Sequence, residues 1–470
     1  MVVGDLSTYS ETVVIGGGPG GYLAAIRLAQ LGKEVTIVEK EWIGGVCLNY
    51  GCIPSKALIY AVNQYDQAKN MGHMGITCNN VKIDITKLQD WKNKSVLKLR
   101  DGIQDLFQKY NIKYIPGEAF FESSNKIKVV SENGTSWIEF DKAIIATGSR
   151  PRVLEGLEPD GKQVVTSREL VNLNFIPPEL VIIGAGFICL EMSSLFAKLG
   201  TRVTIVARSI LAKNVDRDVL SSIYEKMKEL GIIVMENTTI DRVNRTKEGV
   251  TLYVKNTKTN EMSTVQTTHV AVVAGRIPNT NHLQLEKTRV KLDEHGFIRV
   301  NEQRKTHDPH LYALGDITGD PMLAHKAYKE GRVAAESIAG LPAAMDTKLI
   351  PVIIFSDPEI ATVGLSEQEC KEQGIEIKVG KFPFSALGRA VSVNKDRGFV
   401  KVIADNEGQL LGVHIVGPHA TDLISEATLG MELGANLEDI ALTVHPHPTF
   451  PEALMEAAEH ALGRSIHIKK

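Results

Sequence analysis

Two stretches of this chain repeat each other at an offset of 168 residues. The first runs Val13-Val14-Ile15-Gly16-Gly17-Gly18-Pro19-Gly20-Gly21 and continues to Leu31-Gly32 and Val35-Thr36-Ile37-Val38-Glu39. The second runs Val181-Ile182-Ile183-Gly184-Ala185-Gly186-Phe187-Ile188-Cys189 and continues to Leu199-Gly200 and Val203-Thr204-Ile205-Val206-Ala207-Arg208. Each reads as a short β-branched strand, a glycine turn, a helix closed by glycine, and a second β-branched strand. That is a βαβ unit carrying a dinucleotide fingerprint. Gly16 and Gly184 allow the tight turn, and Gly18 and Gly186 let backbone approach a pyrophosphate. Gly21 lets helix and strand pack closely. The pyrophosphate then meets free N–H groups and the positive end of the helix dipole. A lone glycine motif is weak, but here each copy has a strand before it and a strand end about 20 residues later. Two copies imply two dinucleotides, and two dinucleotides in one chain imply electron transfer between them.

A chain of 470 residues exceeds one hydrophobic core and predicts roughly three or four domains. With 53 basic and 56 acidic residues the formal charge is −3, so no global basic field exists for nucleic acid or an acidic membrane. No apolar run approaches the roughly 18 residues of a membrane helix. The opening Met1-Val2-Val3-Gly4-Asp5 lacks a basic patch followed by an apolar stretch, so no export signal is expected and the chain reads as cytoplasmic. Five cysteines are too few for a disulfide-stapled secreted protein.

Weaker landmarks divide the chain at 1–150, 151–278, 279–347 and 348–470. Lys142 to Ala146 is an apolar strand running into a glycine turn at Gly148, and His269 to Ala274 echoes it before Gly275. Leu311 to Leu314 is a third such strand, and Asp316 lies just past it, at the edge where open α/β sheets bind ligands. From about residue 348, Val352 to Phe355, Gly398 to Ile403 and Gly412 to Val416 read as strands of a separate α+β unit. The expected fold class is α/β: two Rossmann-like dinucleotide-binding domains followed by a C-terminal α+β domain.

The segment Gly44-Gly45-Val46-Cys47-Leu48-Asn49-Tyr50-Gly51-Cys52-Ile53-Pro54-Ser55-Lys56 follows the strand ending at Glu39. Pro54 suits the first turn of a helix, and a cysteine at a helix N-terminus has a lowered thiol pKa. A bridge closing so small a loop removes little unfolded-state entropy, so stapling explains it poorly. The pair reads better as a redox couple than as two neighbouring free thiols, and a zinc site needs more ligands than lie nearby. Cys78, Cys189 and Cys370 have no close partner and read as ordinary thiols. Near the C-terminus, His445-Pro446-His447-Pro448-Thr449-Phe450-Pro451-Glu452 opens an alanine-rich helix. A histidine base needs an anionic partner to hold one tautomer, and Glu452 is placed to supply it. On its own this segment is a weak signal and reads rather as a surface histidine near a helix start.

Taken together, the two glycine loops, the Gly-Gly-Val-Cys-Leu-Asn-x-Gly-Cys-Ile-Pro-Ser-Lys segment and the His-x-His-Pro-Thr-x-x-Glu segment resemble the pyridine nucleotide–disulfide oxidoreductases through nearly the whole chain. The nearest branch oxidises dihydrolipoamide within 2-oxo acid dehydrogenase complexes. The resemblance implies an FAD-binding domain (1–150), an NAD(P)-binding domain (151–278), a central domain completing the FAD site (279–347) and a dimerisation or interface domain (348–470). FAD is expected on Gly16, Gly18 and Gly21, with Glu39 at the adenosine ribose, Asp316 on the flavin side and Gly148 nearby. The nicotinamide dinucleotide is expected on Gly184, Gly186 and Gly275. The resemblance makes Lys56 and Glu191 an ion pair near the flavin, Cys47 the interchange thiol and Cys52 the charge-transfer thiol. It makes His447, oriented by Glu452, the base, supplied across a homodimer. The implied partners are a dihydrolipoyl group, its lipoyl domain and the acyltransferase core of such a complex, with neither nucleic acid nor membrane.

The second repeat departs from this pattern. Cys189 stands at its third glycine position, and its second strand ends Ala207-Arg208 where the first ends in Glu39. A carboxylate there binds a ribose 2′-OH and repels a 2′-phosphate, whereas an arginine attracts that phosphate. The NADPH-using reductases of the family resemble this chain at Arg208, so both NAD and NADP remain open. A stand-alone NADPH-dependent reductase of another disulfide or an electrophile is the second reading. A third is a non-catalytic flavoprotein scaffold, against which the intact set of Cys47, Cys52 and His447 argues.

Overall fold

The computed structural model describes residues 7–469. Its first sheet is built around Ser7–Ile15, which lies between Val35–Glu39 and Gly134–Ile145, parallel to both, with Lys113–Pro116 beyond Val35–Glu39. Val13, Val14, Ile37, Ile144 and Ile145 are wholly buried. Helices and an antiparallel meander cover this sheet, which is why its strands read as continuous apolar runs rather than alternating ones. The meander is formed by Glu118–Ser123, Lys126–Ser131 and the first part of Gly134–Ile145.

The segment 279–347 returns to this sheet. Its strand Leu311–Ala313 pairs parallel with Ala143, Ile144 and Ile145. The helix Ala324–Ile338 follows and crosses the helix Pro19–Gln30 at two glycines. A Cβ on Gly331 would lie 2.5 Å from the Gly20 carbonyl oxygen.

The second sheet repeats the plan. Its parallel order is Ile233–Met235, Arg202–Val206, Glu179–Ile183, His269–Val272 and Val164–Thr166. A ribbon of Ser149–Pro151 and Arg276–Pro278 joins the two units. Five antiparallel strands between Val352 and Val416 make the third sheet. The helix Glu452–Ala461 presses on Ile377–Pro383, where a Cβ on Gly380 would meet the Ala457 oxygen at 1.9 Å. Among the described residues no helix is long and apolar enough to cross a membrane.

The glycine loops fold as their spacing requires. Gly16 has φ +104°, and a Cβ there would lie 2.4 Å from the Ala146 oxygen. A Cβ on Gly21 would lie 1.9 Å from the Gly16 oxygen, so only glycine lets this helix sit so near its strand. Nothing stands within 4 Å of a Cβ built on Gly18 or Gly186, which leaves backbone open at the middle of each loop. In the second repeat Cys189 is fully buried where Gly21 stands in the first. Gly21→Ala is expected to destabilise the protein by about 1–3 kcal/mol by overpacking, and Gly186→Ala by no more than about 0.5 kcal/mol. Urea denaturation without added nucleotide measures both, and equal midpoints for the two variants would reject this reading of the loops.

Candidate active site

The strand Val35–Glu39 ends over the first glycine loop. The Glu39 carboxylate accepts the Gly17 N–H at 2.7 Å and the Glu41 N–H at 2.7 Å. Burial pushes its pKa up, against those two hydrogen bonds. The chain then turns through Gly44 and Gly45 into a short helix, Gly45–Tyr50, that carries Cys47. A Cβ on Gly45 would lie 2.7 Å from Gly18 Cα, so this helix starts directly against the first glycine loop. Asn49 pins the turn by donating to the carbonyls of Ile43 and Gly45 at 3.0 and 2.8 Å. Arg100 holds the same side chain by donating to Asn49 Oδ1 at 2.7 Å.

A second helix, Cys52–Lys69, begins at Cys52. The two cysteines are unbridged, and Cys47 donates a hydrogen bond to the Cys52 sulfur. That bond, with burial, pushes the Cys47 thiol up. The same bond lowers Cys52 against the cost of burial, helped by the Lys56 ammonium one turn along the helix. Lys56 is fixed in turn. Its Nζ lies 2.8 Å from both oxygens of Glu191, whose side chain is 3% exposed and also accepts the Phe355 N–H at 3.0 Å. The surroundings therefore favour negative charge on Cys52 over Cys47.

Asp316 sits in the turn Gly315–Thr318 after Leu311–Ala313 and accepts the Ser149 hydroxyl at 2.5 Å. Gly148, with φ +66°, precedes that serine, and its carbonyl accepts the Asn279 N–H at 2.9 Å. Around one open glycine loop the chain thus places an acidic strand end, a second carboxylate and a thiol pair with its own cation. This donor set fits a dinucleotide whose redox-active end reaches the cysteines.

The second loop is built alike but ends differently. A Cβ on Gly184 would lie 2.7 Å from the Val273 oxygen, Gly186 is open, and Gly275 turns at φ +99°. Ala207 is buried, with its N–H on the Met235 carbonyl at 2.9 Å. Arg208 is exposed and forms no ion pair among the described residues. The segment beyond folds back onto the loop, the Ala212 N–H donating to the Ala185 oxygen at 2.7 Å.

His447 and Glu452 lie elsewhere. His447 Nδ1 is 2.7 Å from Glu452 Oε1, and Glu452 Oε2 accepts the Thr449 N–H at 2.6 Å, so the carboxylate orients the ring through one nitrogen. The His447 side chain is 76% exposed and makes no hydrogen bond or ion pair with the cysteines of its own chain. The neighbouring His445 is buried against Glu426 at 2.8 Å, which raises its pKa. Leu433, Leu442 and Val444 stand exposed around this loop, Val444 at 93%.

The family described as pyridine nucleotide-disulphide oxidoreductase matches residues 10–331, and its dimerisation domain matches residues 350–458. The chain belongs to this family. The dihydrolipoyl dehydrogenase of Geobacillus stearothermophilus is 46% identical over 472 residues, spanning 100% of this chain and 99% of the relative. That of Bacillus subtilis is 44% identical over 473 residues, spanning 100% of both. Among solved structures, LpdA of Mycobacterium tuberculosis superposes with a TM-score of 0.89 at 26% identity, covering 96% of this chain and 99% of that one. The HOCl-induced flavoprotein disulfide reductase RclA of Escherichia coli reaches 0.85 at 26% identity, over 96% and 99%.

Two features of this family member's site had no role in the sequence reading. Arg276 donates through Nε to Ser149 Oγ and through Nη2 to the Ser149 carbonyl, both at 2.6 Å, and lies 3.8 Å from Asp316. Burial lowers its pKa, while Asp316 and Cys52 oppose that shift. The available signal was an arginine after each glycine turn, since Arg150 reciprocally donates to the Pro278 carbonyl at 3.0 Å. The other feature is a pair of hydroxyls, Tyr22 and Tyr328, 2.7 Å apart and within electrostatic reach of Cys47, which no spacing rule joins across 306 residues.

In the reduced protein the Cys52 thiolate is expected to persist below the ordinary thiol range while Cys47 stays protonated. Cys47→Ala removes its hydrogen-bond donor and Lys56→Met its cation, so each raises the Cys52 pKa. Ultraviolet thiolate absorbance against pH measures this, and a titration unchanged in both variants would contradict the charge assignment.

Proposed function

We propose that this protein is an FAD-dependent disulfide oxidoreductase that oxidises dihydrolipoamide and delivers the electron pair to NAD(P)+, acting as a homodimer. The observation that carries the reading is the Cys47–Cys52 pair at a helix start, charged toward Cys52 and set against an open dinucleotide loop. The names of the relatives, which match over their full length, favour the dihydrolipoyl substrate.

The loop of Gly16, Gly18 and Gly21 holds the FAD pyrophosphate, Glu39 its ribose, and Asp316 with Gly148 the flavin-side chain. FAD, when bound, supplies the two-electron relay between the cysteine pair and the nicotinamide. His447 removes a proton from the first substrate thiol. The resulting thiolate attacks Cys47 Sγ of the oxidised pair, forming a mixed disulfide and expelling Cys52 as a thiolate. Lys56, held by Glu191, stabilises that charge. The second substrate sulfur then attacks its neighbour, closes the cyclic disulfide and releases Cys47. Of the two substrate protons, one comes to rest on Cys47 and the other leaves through His447. Glu452 holds the ring tautomer that accepts a proton at Nε2.

Each protomer's His447 acts at the cysteine pair of the other. Its exposure, its separation from its own cysteines and the apolar side chains around it support this. Within a 2-oxo acid dehydrogenase complex, the lipoyl domain brings the dithiol and the acyltransferase core holds the dimer. Gly184, Gly186 and Gly275 hold the nicotinamide dinucleotide. Unpaired Arg208 beside buried Ala207 favours a 2′-phosphate there, and with it the second reading, an NADPH-linked reductase of other disulfides.

Assays crossing NADH and NADPH with lipoamide and several other disulfides separate these readings. Arg208→Ala is expected to lower kcat/KM for NADPH roughly tenfold to hundredfold and to leave NADH nearly unchanged; a parallel loss with both would discard the phosphate role. His447→Gln is expected to reduce lipoamide turnover about 10²–10⁴-fold. Co-expressed Cys52→Ala and His447→Gln chains should regain activity, because one site of the heterodimer is intact. Failure of verified heterodimers to recover activity would place the base within its own chain.

A further inference from the structure

The helix Ala324–Ile338 touches both ends of the first dinucleotide site. At Gly331 it meets Gly20 of the glycine-loop helix, with no room for a side chain between them. One residue earlier, Glu330 is 0% exposed. Its Oε2 accepts the Gly315 N–H at 2.6 Å, at the start of the turn that carries Asp316. Its Oε1 accepts from Arg304 Nη1 at 2.7 Å, and the Arg304 carbonyl accepts the Ala313 N–H at 3.0 Å. Lys326, 3.5 Å from Glu330, donates to the Gly319 carbonyl at 2.7 Å and so ties down the far end of the same turn. A buried carboxylate is retained only where charges and donors satisfy it, and removing it strands its partners. Here the partners are the two ends of one turn and the strand before it.

We propose that Glu330 is a positioning residue that fixes the Gly315–Thr318 turn, and with it Asp316, relative to the phosphate-facing glycine loop. The inference rests on the FAD reading above. The distance between the pyrophosphate seat at Gly18 and the flavin-side carboxylate is set by one helix, through Gly331 at one contact and Glu330 at the other. Glu336, six residues further along, holds Arg27 of the glycine-loop helix at 2.7 Å and makes no hydrogen bond or ion pair to the Asp316 turn among the described residues. It provides the control on the same helix.

The test is FAD release from purified holoenzyme, followed by flavin fluorescence, together with the shape of the bound flavin absorption band. Glu330→Gln keeps an acceptor for the Gly315 N–H but leaves Arg304 and Lys326 without their anion. It should release FAD roughly tenfold faster, with an altered band shape; Glu330→Ala should release it roughly tenfold to hundredfold faster. Glu336→Gln should match the wild type in both readouts. Release at the wild-type rate from Glu330→Gln overturns the proposal whether or not Glu330→Ala folds. An equal rise in Glu336→Gln also overturns it, because general loosening of the helix then suffices. Wild-type protein that binds no FAD is a separate outcome, which removes the FAD reading itself.

Discussion

The Gly21 position lies so near the Gly16 oxygen that a Cβ would overlap it at 1.9 Å, and much of the first half of the molecule follows from that contact. Because no side chain separates helix from strand, the helix start points its free N–H groups into the open space before Gly18. Because Gly45 bears no Cβ, it can pack against Gly18 and begin the helix that carries Cys47. Gly51 then lets a second helix start at Cys52, which brings the sulfurs together five residues apart. The open backbone of the loop and the thiol pair beside it thus both depend on close approaches between backbone segments.

Electrostatics then divides the labour between two chemically identical thiols. Both are half-buried, which disfavours a thiolate at either. The asymmetry comes from the Cys47 hydrogen bond and from Lys56, and Lys56 is held in place by Glu191 and the Phe355 backbone. A free lysine would be solvated and mobile, whereas this one is fixed to the second domain. The charge that distinguishes Cys52 therefore depends on how the first and second domains meet.

The two repeats share a fold and differ at the helix start and at the end of the second strand. In the second, Cys189 fills the position of Gly21 and remains wholly buried, so the loop tolerates a side chain that the first cannot. Where Glu39 is engaged with the backbone of its own loop, Ala207 offers no carboxylate and Arg208 extends unpaired into solvent. One architecture thereby carries opposite charges at the ends of its two corresponding strands.

The repeat, its order of strand, glycine turn, helix and strand, and the cysteine pair were legible in the sequence, while the histidine–glutamate pair gained its role only with the family resemblance. Each is encoded by periodicity, glycine placement or spacing within about a dozen residues, and such patterns act locally. The ion pair of Lys56 with Glu191, 135 residues apart, became legible only through family resemblance. Tertiary structure alone decided that Leu311–Ala313 extends the first sheet, that Arg276 is held, partly buried, between Ser149 and Asp316, that Tyr22 meets Tyr328, and that Glu330 reaches Gly315. These contacts join segments through long-range sheet pairing and helix crossing, whose partners are chosen by complementary packing, and no local pattern in either segment specifies the other.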